Sequence, residues 1–124
     1  MKLEARTYAD TVVVAPAGRL DHDNCEAFRA GLHPHLEHAA ASRQRIVLDL
    51  SGLEYVSSAG LRCFMLAAKE AGSHGGKIVL AALRPVVAEI FQISRFDMVF
   101  EIYPSVCEAL AALSSAAAAA YEQG

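Results

Sequence analysis

Two consecutive serines, Ser57 and Ser58, lie where an apolar strand and a short loop give way to a helix. The strand at residues 46–48 stops at the carboxylate of Asp49, and the loop delivers both hydroxyls to the first helical turn. Unpaired backbone N–H groups and the positive end of the helix dipole favour an anion at that point. The pattern therefore suggests phosphorylation of a serine. From these residues alone, the alternative is that either serine is only a helix cap, the commoner role of a serine at a helix start.

Other reactive patterns fit enzymes poorly. Serine hydrolysis needs a Gly-x-Ser-x-Gly elbow, and Val56 and Gly60 flank the serines at the wrong distances. The glycine-rich segment 72–77 ends in a lysine that isoleucine follows, and it precedes a strand, unlike a phosphate-binding loop. We therefore expect a turn at residues 72–77 and no enzymatic activity.

Histidines and carboxylates do not follow the spacing of known metal sites. Of His33, His35 and His38, only the last two share a helical face, and no cysteine or carboxylate completes a ligand set, which favours a solvated helix face. Asp21 and Asp49 could hold Mg²⁺ beside the serines, but capping carboxylates at strand ends are common without a metal. We expect neither a metal nor a cofactor.

Length, charge and cysteine content suggest one cytoplasmic domain. The chain has 124 residues, enough for a single core, and its 11 Lys+Arg against 14 Asp+Glu give no electrostatic footprint for nucleic acid or anionic membrane. We find neither a signal-peptide stretch nor a window of about 20 strongly apolar residues, so no membrane contact is expected. Cys25, Cys63 and Cys107 lie in apolar, helix-like patterns, which predicts reduced core thiols and the cytoplasm.

Strand and helix patterns alternate after an initial hairpin. They predict an α/β domain in which four helices pack on a mixed sheet of four to five strands. Residues 1–115 should form this single domain, and residues 116–124 an Ala-rich helical tail that frays because it has little area to bury. The predicted strands span residues 2–8, 11–17, 45–49, 77–81 and 99–102, with Ala9 and Asp10 joining the first two.

The helices are predicted from capping residues and from apolar faces of 3.6-residue period. The first opens with a capping box at Asp23 and Glu26, and Gly31 and Pro34 should kink or interrupt it. The second spans residues 58–72 and ends at Gly72, Gly75 and Gly76; the third begins near Pro85; the last opens with Ser105 and Glu108. The predicted buried faces are Cys25, Phe28, Leu32, Leu36 and Ala39; Leu61, Met65 and Ala68; Val87, Ile90 and Phe91; and Val106, Leu110 and Leu113.

Three segments follow one another in the order of a known family. They are the Gly-Arg-Leu-Asp turn at residues 18–21, residues 49–61 from the strand-ending aspartate to Leu61, and the glycine turn into a strand at residues 75–80. Together they resemble the STAS domain (sulphate transporter and anti-sigma factor antagonist), especially the small bacterial anti-sigma factor antagonists. The resemblance implies the STAS-type fold and a phosphoacceptor at Ser58. Many phosphorylated members carry aspartate where this chain has Ser57, which leaves the choice between the two serines open.

The resemblance also implies a partner-switching protein. The unphosphorylated form would bind an anti-sigma factor that is a serine kinase and free its sigma factor; phosphorylation at Ser58 would end binding, and a serine phosphatase would reset it. We expect the loops after parallel strands to converge, with Asp21 orienting the serine hydroxyl and Gly60 admitting the partner's backbone. The expected partner-binding residues are Asp21, His22, Asp23, Ser57, Ser58, Ala59, Gly60 and Arg62.

Two alternatives stay open at this point. Ser57 in place of the usual acidic residue also fits a STAS adaptor that is never phosphorylated, in a stress-signalling assembly or as the soluble subunit of a lipid-transport ATPase complex. The third reading is a nucleotide-binding STAS module. The sequence is compatible with a weak homodimer.

Overall fold

The computed structural model describes residues 3–42, 44–73 and 78–123, and it contains a five-stranded mixed sheet and a separate two-stranded sheet. This confirms the predicted α/β class. In chain order the elements are β1 (Leu3–Tyr8), β2 (Thr11–Pro16), β3 (Gly18–Leu20), α1 (Cys25–Ser42), β4 (Arg45–Asp49), β5 (Leu53–Val56), α2 (Ser58–Ser73), β6 (Ile78–Ala81), α3 (Pro85–Ile93), a 3-10 helix (Phe96–Met98), β7 (Ile102–Tyr103), α4 (Val106–Leu113) and α5 (Ser115–Glu122).

The large sheet has the strand order β1-β2-β4-β6-β7. Strands β1 and β2 form the predicted antiparallel hairpin, and the remaining neighbours are parallel. The central strand β4 is buried on both faces, as its continuous apolar run predicts. Ile46 and Leu48 join the core that α1, α2 and α3 cover, while Val47 joins the core under α4 and α5.

Strands β3 and β5 form the second sheet and are absent from our predictions. They pair in parallel, with Gly18 opposite Leu53 and Leu20 opposite Val56. The sequence predicts a turn and a loop at these two segments, because three or four residues are too few to show an alternation of apolar and polar side chains. Leu20, Leu53 and Val56 are nevertheless buried, so their burial against the core holds these short strands in place.

Helix α1 runs without a break from Cys25 to Ser42, so the interruption predicted at Pro34 does not occur. Pro34 lies on the exposed face, where water can satisfy the carbonyl that loses its N–H donor. The Asn24 carbonyl accepts the first helical hydrogen bond, from the Phe28 N–H, so Asn24 occupies the cap position predicted for Asp23. Four of the five residues of the predicted inner face are buried, namely Phe28, Leu32, Leu36 and Ala39, and Cys25 is half-buried.

His33, on the outer face of α1, is not simply solvated. Its Nδ1 lies 2.5 Å from Glu70 Oε1 on α2, and its Nε2 lies 2.6 Å from Glu37 Oε1. The hydrogen bond with Glu70 is the main cause that raises the pKa of His33 above its ordinary value. His33 is exposed, as the predicted solvated helix face requires, and its contact with Glu70 also joins α1 to α2.

Helix α2 turns a different face to the core from the predicted one. Leu61 is buried as expected, but Phe64 and Ala67 replace Met65 and Ala68 as the innermost residues. The reason is aromatic packing, since the Phe64 ring lies 5.3 Å from that of Phe28. The helix also continues one residue past Gly72. The predicted Gly75 and Gly76 turn and the strand residue Lys77 lie outside the described residues.

Two predicted helix starts are confirmed after β6. Pro85 opens α3, which buries Val87 and Phe91, and the Ser105 hydroxyl caps α4 by accepting from the Glu108 N–H at 3.1 Å. The strand predicted at residues 99–102 is only two residues long, because a 3-10 helix occupies the chain just before it.

The predicted fraying tail is instead a packed fifth helix. Ser114 ends α4 and caps α5 by accepting from the Ala117 N–H at 3.2 Å. Ala117 is fully buried, and the Tyr121 ring lies 5.2 Å from that of Tyr8 on β1. Alanine buries so little area that its packing leaves no periodic signal in the sequence.

The cysteines also depart from expectation. Cys25 and Cys63 form a disulfide between α1 and α2, with their Cα atoms 6.1 Å apart, and Cys107 is exposed. The two cysteines are separated by 38 positions in the sequence. Such a separation matches no known spacing pattern, so one sequence does not reveal the pair. The predicted reduced core thiols, which were the basis for a cytoplasmic location, are therefore not found.

Candidate functional site

The parallel pair β3 and β5 places two loops side by side. Residues 21–24 follow β3, and Ser57 follows β5. The Ser57 N–H donates to the Leu20 carbonyl at 2.9 Å, which joins the two loops directly. The predicted convergence is confirmed, although the strands responsible belong to the small sheet rather than to the large one.

Ser57 is the helix cap. Its Oγ accepts from the Gly60 N–H at 3.1 Å, and its carbonyl accepts from the Leu61 N–H at 2.9 Å. Both bonds are those expected of an N-cap residue. Because its side chain already accepts this bond and is half-buried, the cap interpretation applies to Ser57.

Ser58 is the first residue of α2 and is exposed. Its hydroxyl makes no hydrogen bond to any other residue within 3–42, 44–73 and 78–123. The group therefore faces solvent at the positive end of a 16-residue helix, where backbone N–H groups can steady an anion. Of the two serines, Ser58 is the one whose hydroxyl is open to modification.

Gly60 is needed for internal packing. A Cβ placed on this residue would lie 2.5 Å from the Leu20 carbonyl oxygen and 2.9 Å from Val56 Cγ1. We expected Gly60 to admit the backbone of a partner, but the carbonyl of Leu20 occupies that space and Gly60 is buried. Its role is to let α2 approach β3 closely.

The loop at residues 21–24 is closed by its own side chains. The Asp21 carboxylate accepts from the Asp23 N–H at 3.0 Å, and the Asn24 Oδ1 accepts from the Asp21 N–H at 2.8 Å. The Asn24 amide also donates to the Arg19 carbonyl. Among the described residues Asp21 makes no hydrogen bond to Ser58, contrary to its predicted orienting role. Sequence reasoning missed Asn24, although asparagine just before a helix commonly closes such a turn.

The remaining predicted residues gather around these loops. His22, Asp23 and Arg62 are exposed, and Ala59 is half-buried. Arg62 lies four positions after Ser58 on α2, so the two side chains share one helix face. We call the set of eight predicted residues the Ser58 patch: Asp21, His22, Asp23, Ser57, Ser58, Ala59, Gly60 and Arg62.

An arginine and a tyrosine that sequence reasoning did not pair flank the Ser58 patch. Arg19 on β3 lies opposite Tyr55 on β5, and its guanidinium carbon lies 4.5 Å from the centre of the Tyr55 ring. A cation over an aromatic face is attractive and fixes both side chains. The surface around Ser58 thus carries both signs of charge, from Arg19 and Arg62 and from the aspartates of the neighbouring loop.

The Ser58 hydroxyl has no side-chain partner among the described residues. No carboxylate or histidine among them hydrogen-bonds to Ser58, and they contain no group of three or more His, Cys, Asp or Glu that could hold a metal ion. In the same portion of the chain, no helix has the length and hydropathy needed to cross a membrane.

Comparisons with known proteins agree with this architecture. A family model described as "Mlab, STAS domain" matches residues 4–104. A Bordetella bronchiseptica protein named "Putative anti-sigma factor antagonist BtrV" is 35% identical over 116 residues, which cover 94% of this chain and 97% of that protein.

Solved structures share the fold at lower identity. An anti-sigma factor antagonist from Mycobacterium paratuberculosis superposes with a TM-score of 0.74 at 22% identity, over 90% of this chain and 92% of the other. The anti-sigma factor antagonist SpoIIAA in its unphosphorylated form matches with a TM-score of 0.70 at 21% identity, over 90% of this chain and 96% of SpoIIAA. The phosphorylated form of Bacillus SpoIIAA matches with a TM-score of 0.64 at 21% identity, over 91% of this chain and 100% of the other.

Proposed function

The chain belongs to the STAS domain family, and from this premise we propose that it is an anti-sigma factor antagonist in a partner-switching system. In its unphosphorylated form the Ser58 patch binds an anti-sigma factor that is also a serine kinase, and the sigma factor is released. The kinase transfers a phosphoryl group from ATP to the Ser58 oxygen, which ends binding, and a serine phosphatase removes it. Kinase and phosphatase supply the catalysis, and the chain supplies the acceptor. Because its kinase consumes ATP, we place the protein in the cytoplasm.

The observation that carries this proposal is the division of roles between the two serines. The Ser57 hydroxyl is half-buried and accepts from the Gly60 N–H, so a kinase would have to turn it out of the cap to reach it. The Ser58 hydroxyl is exposed one residue further on. A kinase can therefore reach Ser58 without unravelling the helix start, and this supports Ser58 as the phosphoacceptor.

Electrostatics explains how the modification would end binding. A phosphoserine adds about −1.5 to −2 charges near neutral pH. The chain already has a net charge of −3, and Asp21 and Asp23 lie on the adjacent loop. A surface that fits the neutral hydroxyl would have to desolvate this new charge and place it near two carboxylates, which weakens the complex. Arg62, one turn along α2, can pair with the phosphate and retain it on its own domain.

The other residues of the patch receive two kinds of role. The exposed side chains of His22, Asp23 and Arg62 and the half-buried side chain of Asp21 contact the partner. Ser57, Ala59 and Gly60 shape the loop that presents Ser58, through the cap and the close approach to Leu20.

The test uses the histidine-kinase-like ATPase encoded nearest to this chain's gene, here called the partner ATPase. The purified chain is mixed with the partner ATPase, with and without ATP, and intact mass and complex formation are measured. We expect one phosphoryl group on the wild type, and a Ser58→Ala variant that binds the partner ATPase yet takes up no phosphate. Ser51→Ala is the matched control, because Ser51 is another exposed serine but precedes β5, whereas Ser58 follows it. Binding without phosphorylation of the wild type would instead support an adaptor role.

A further inference from the structure

The disulfide between Cys25 and Cys63 lies directly behind the Ser58 patch. We propose that this pair is a reversible dithiol–disulfide site that controls how firmly the patch is held for its partner. The part that concerns binding rests on the proposed function; the part that concerns chemistry and loop mobility does not.

The position of the pair is the first argument. Cys25 is the first residue of α1 and directly follows the loop at residues 21–24, and Cys63 lies in the second turn of α2, the helix that Ser58 begins. Cys25 Sγ also lies 3.7 Å from the Ala59 carbonyl oxygen. One covalent link therefore ties together the two segments that carry the patch. Without it, the loops are joined at this point by hydrogen bonds such as that from the Ser57 N–H to the Leu20 carbonyl.

The second argument is that the two sulfurs differ in access. Cys63 is fully buried, whereas Cys25 is half-buried, so an incoming thiol or small disulfide meets Cys25 first. In the reduced state Cys25 lies at the positive end of an 18-residue helix. The Asn24 side chain is directed back to Arg19 and Asp21. Such a position favours the thiolate, which is the attacking species in disulfide exchange.

The reaction that forms the link is exchange with a low-molecular-weight disulfide. The Cys25 thiolate attacks one sulfur of the small disulfide and expels the other half as a thiolate, which leaves a mixed disulfide on Cys25. The Cys63 thiol then loses its proton and attacks the Cys25 sulfur, which releases the second half as a thiol. Two protein thiols become one disulfide, and one small disulfide becomes two thiols. A small dithiol reverses both steps.

The consequence for binding follows from preorganisation. A cross-link that holds residues 21–24 against the start of α2 reduces the motion that a partner must arrest. The oxidised chain is therefore the stronger binder, by about three- to tenfold, which is the effect of immobilising one or two side chains before binding. Reduction should leave the fold intact, since the core residues around the pair remain packed.

Cys107 provides a built-in control. It is exposed on α4, and that helix buries Val106, Ala109 and Leu110 in the core on the opposite side of the sheet from Cys25 and Cys63. It cannot join the pair within one chain, so Cys107→Ser should keep the full redox response. Cys25→Ser should abolish the response while changing little of the core.

The experiment compares the full chain after glutathione disulfide with the full chain after dithiothreitol, each redox state being verified by intact mass. Backbone amide hydrogen exchange is measured at residues 19–24 and 57–61, and the dissociation constant is measured for the partner ATPase. We expect exchange to be at least about threefold slower at both segments in the oxidised form, and binding about three- to tenfold tighter. Cys107→Ser should behave as the wild type, and Cys25→Ser should behave as the reduced form in both conditions.

Equal exchange at both segments in the two verified redox states would overturn the proposal, as would thiols that stay free in glutathione disulfide. So would slower exchange in the oxidised form without tighter binding, given a partner ATPase that binds the chain. If neither redox form nor Ser58→Ala binds the partner ATPase, the proposed function fails. Hydrogen exchange then still decides whether the cysteine pair controls the two loops.

Discussion

The chain contains two Ser-Ser pairs at helix starts, Ser57–Ser58 and Ser114–Ser115, and we propose a function for only the first. Ser57 caps α2 and is followed by exposed Ser58; Ser114 caps α5 and is followed by exposed Ser115. The two caps are nearly identical, with Oγ accepting from the third helical N–H at 3.1 Å in α2 and at 3.2 Å in α5. The local pattern alone therefore does not make a site.

The surroundings of the two pairs differ in three ways. The α2 start lies against the loop at residues 21–24, with Arg62 one turn from Ser58, whereas the position one turn from Ser115 is Ala119. Helix α2 has 16 residues and α5 only 8. Finally, the Ser114 hydroxyl donates to Asp10 Oδ1 at 2.7 Å, which ties α5 to the β1–β2 hairpin. The comparison indicates that neighbouring elements, rather than the serines, give the first pair its proposed role.

The largest expected effect concerns the third helical residue of each start. Gly60→Ala forces a Cβ to within 2.5 Å of the Leu20 carbonyl oxygen, so we expect a loss of about 2 to 3 kcal/mol in the free energy of unfolding. Ala117→Gly in α5 should cost less, about 1 to 2 kcal/mol, through helix propensity and the loss of one buried methyl group. Urea unfolding of both variants measures the difference. A Gly60→Ala variant as stable as the wild type would show that the α2 start tolerates a shift away from β3.

The second prediction concerns charge at the two exposed serines. Ser58→Asp should weaken binding of the partner ATPase by about 1 to 3 kcal/mol, because it introduces a charge into the interface. Ser115→Asp should leave binding unchanged. An acidic residue in the first helical turn is mildly favourable in both helices, so neither variant should lose stability. Titration calorimetry measures the binding, and a thermal melt measures the stability. Equal weakening of binding by both substitutions would show that Ser58 has no particular role in the interface.

The third prediction separates the two caps by pH. Ser57→Ala and Ser114→Ala should each cost about 1 kcal/mol near neutral pH, as the loss of an N-cap does. The hydrogen bond from Ser114 is the main cause that lowers the pKa of Asp10 below its ordinary 3.8. A lowered folded-state pKa gives stability that is present above 3.8 and is lost as pH falls through the folded value.

The difference in melting temperature between Ser114→Ala and the wild type should therefore shrink below about pH 4. The difference in melting temperature between Ser57→Ala and the wild type should not change with the protonation of Asp10, because Ser57 does not contact Asp10. Thermal melts between neutral pH and about pH 3 provide the measurement. A Ser114→Ala difference that stays constant over this range would contradict the assigned Asp10 contact.

The parts of the fold that could be predicted are those with long, unambiguous patterns. The β-branched run at residues 11–15 and the apolar run at residues 46–48 identify β2 and β4, and Pro85 identifies the start of α3. Strands β3 and β5 could not be found in this way. Each has four residues or fewer, and each is recognised only by its pairing with the other. The packing of α5 cannot be predicted from the sequence, because a run of alanines gives no contrast between a buried and an exposed face.

The candidate site shows the same limit. The sequence predicts two hydroxyls at a helix start, and the family resemblance implies a phosphoacceptor at Ser58, but the choice of helix cap depends on side-chain direction, which the structure shows. The role predicted for Asp21 depended on the direction of a side chain, and the structure directs that carboxylate to the Asp23 N–H. The Cys25–Cys63 pair depends on how α1 packs on α2, which one sequence does not reveal.

Phosphate mapping by mass spectrometry tests the central claim most directly. The wild-type chain is incubated with the partner ATPase and ATP, and the phosphate at Ser57, Ser58, Ser114 and Ser115 is quantified. The account predicts phosphate on Ser58 and on none of the other three, although Ser115 is equally exposed at its helix start. Phosphate on Ser57 or Ser115 with Ser58 unmodified, or on no serine when the complex forms, would contradict it.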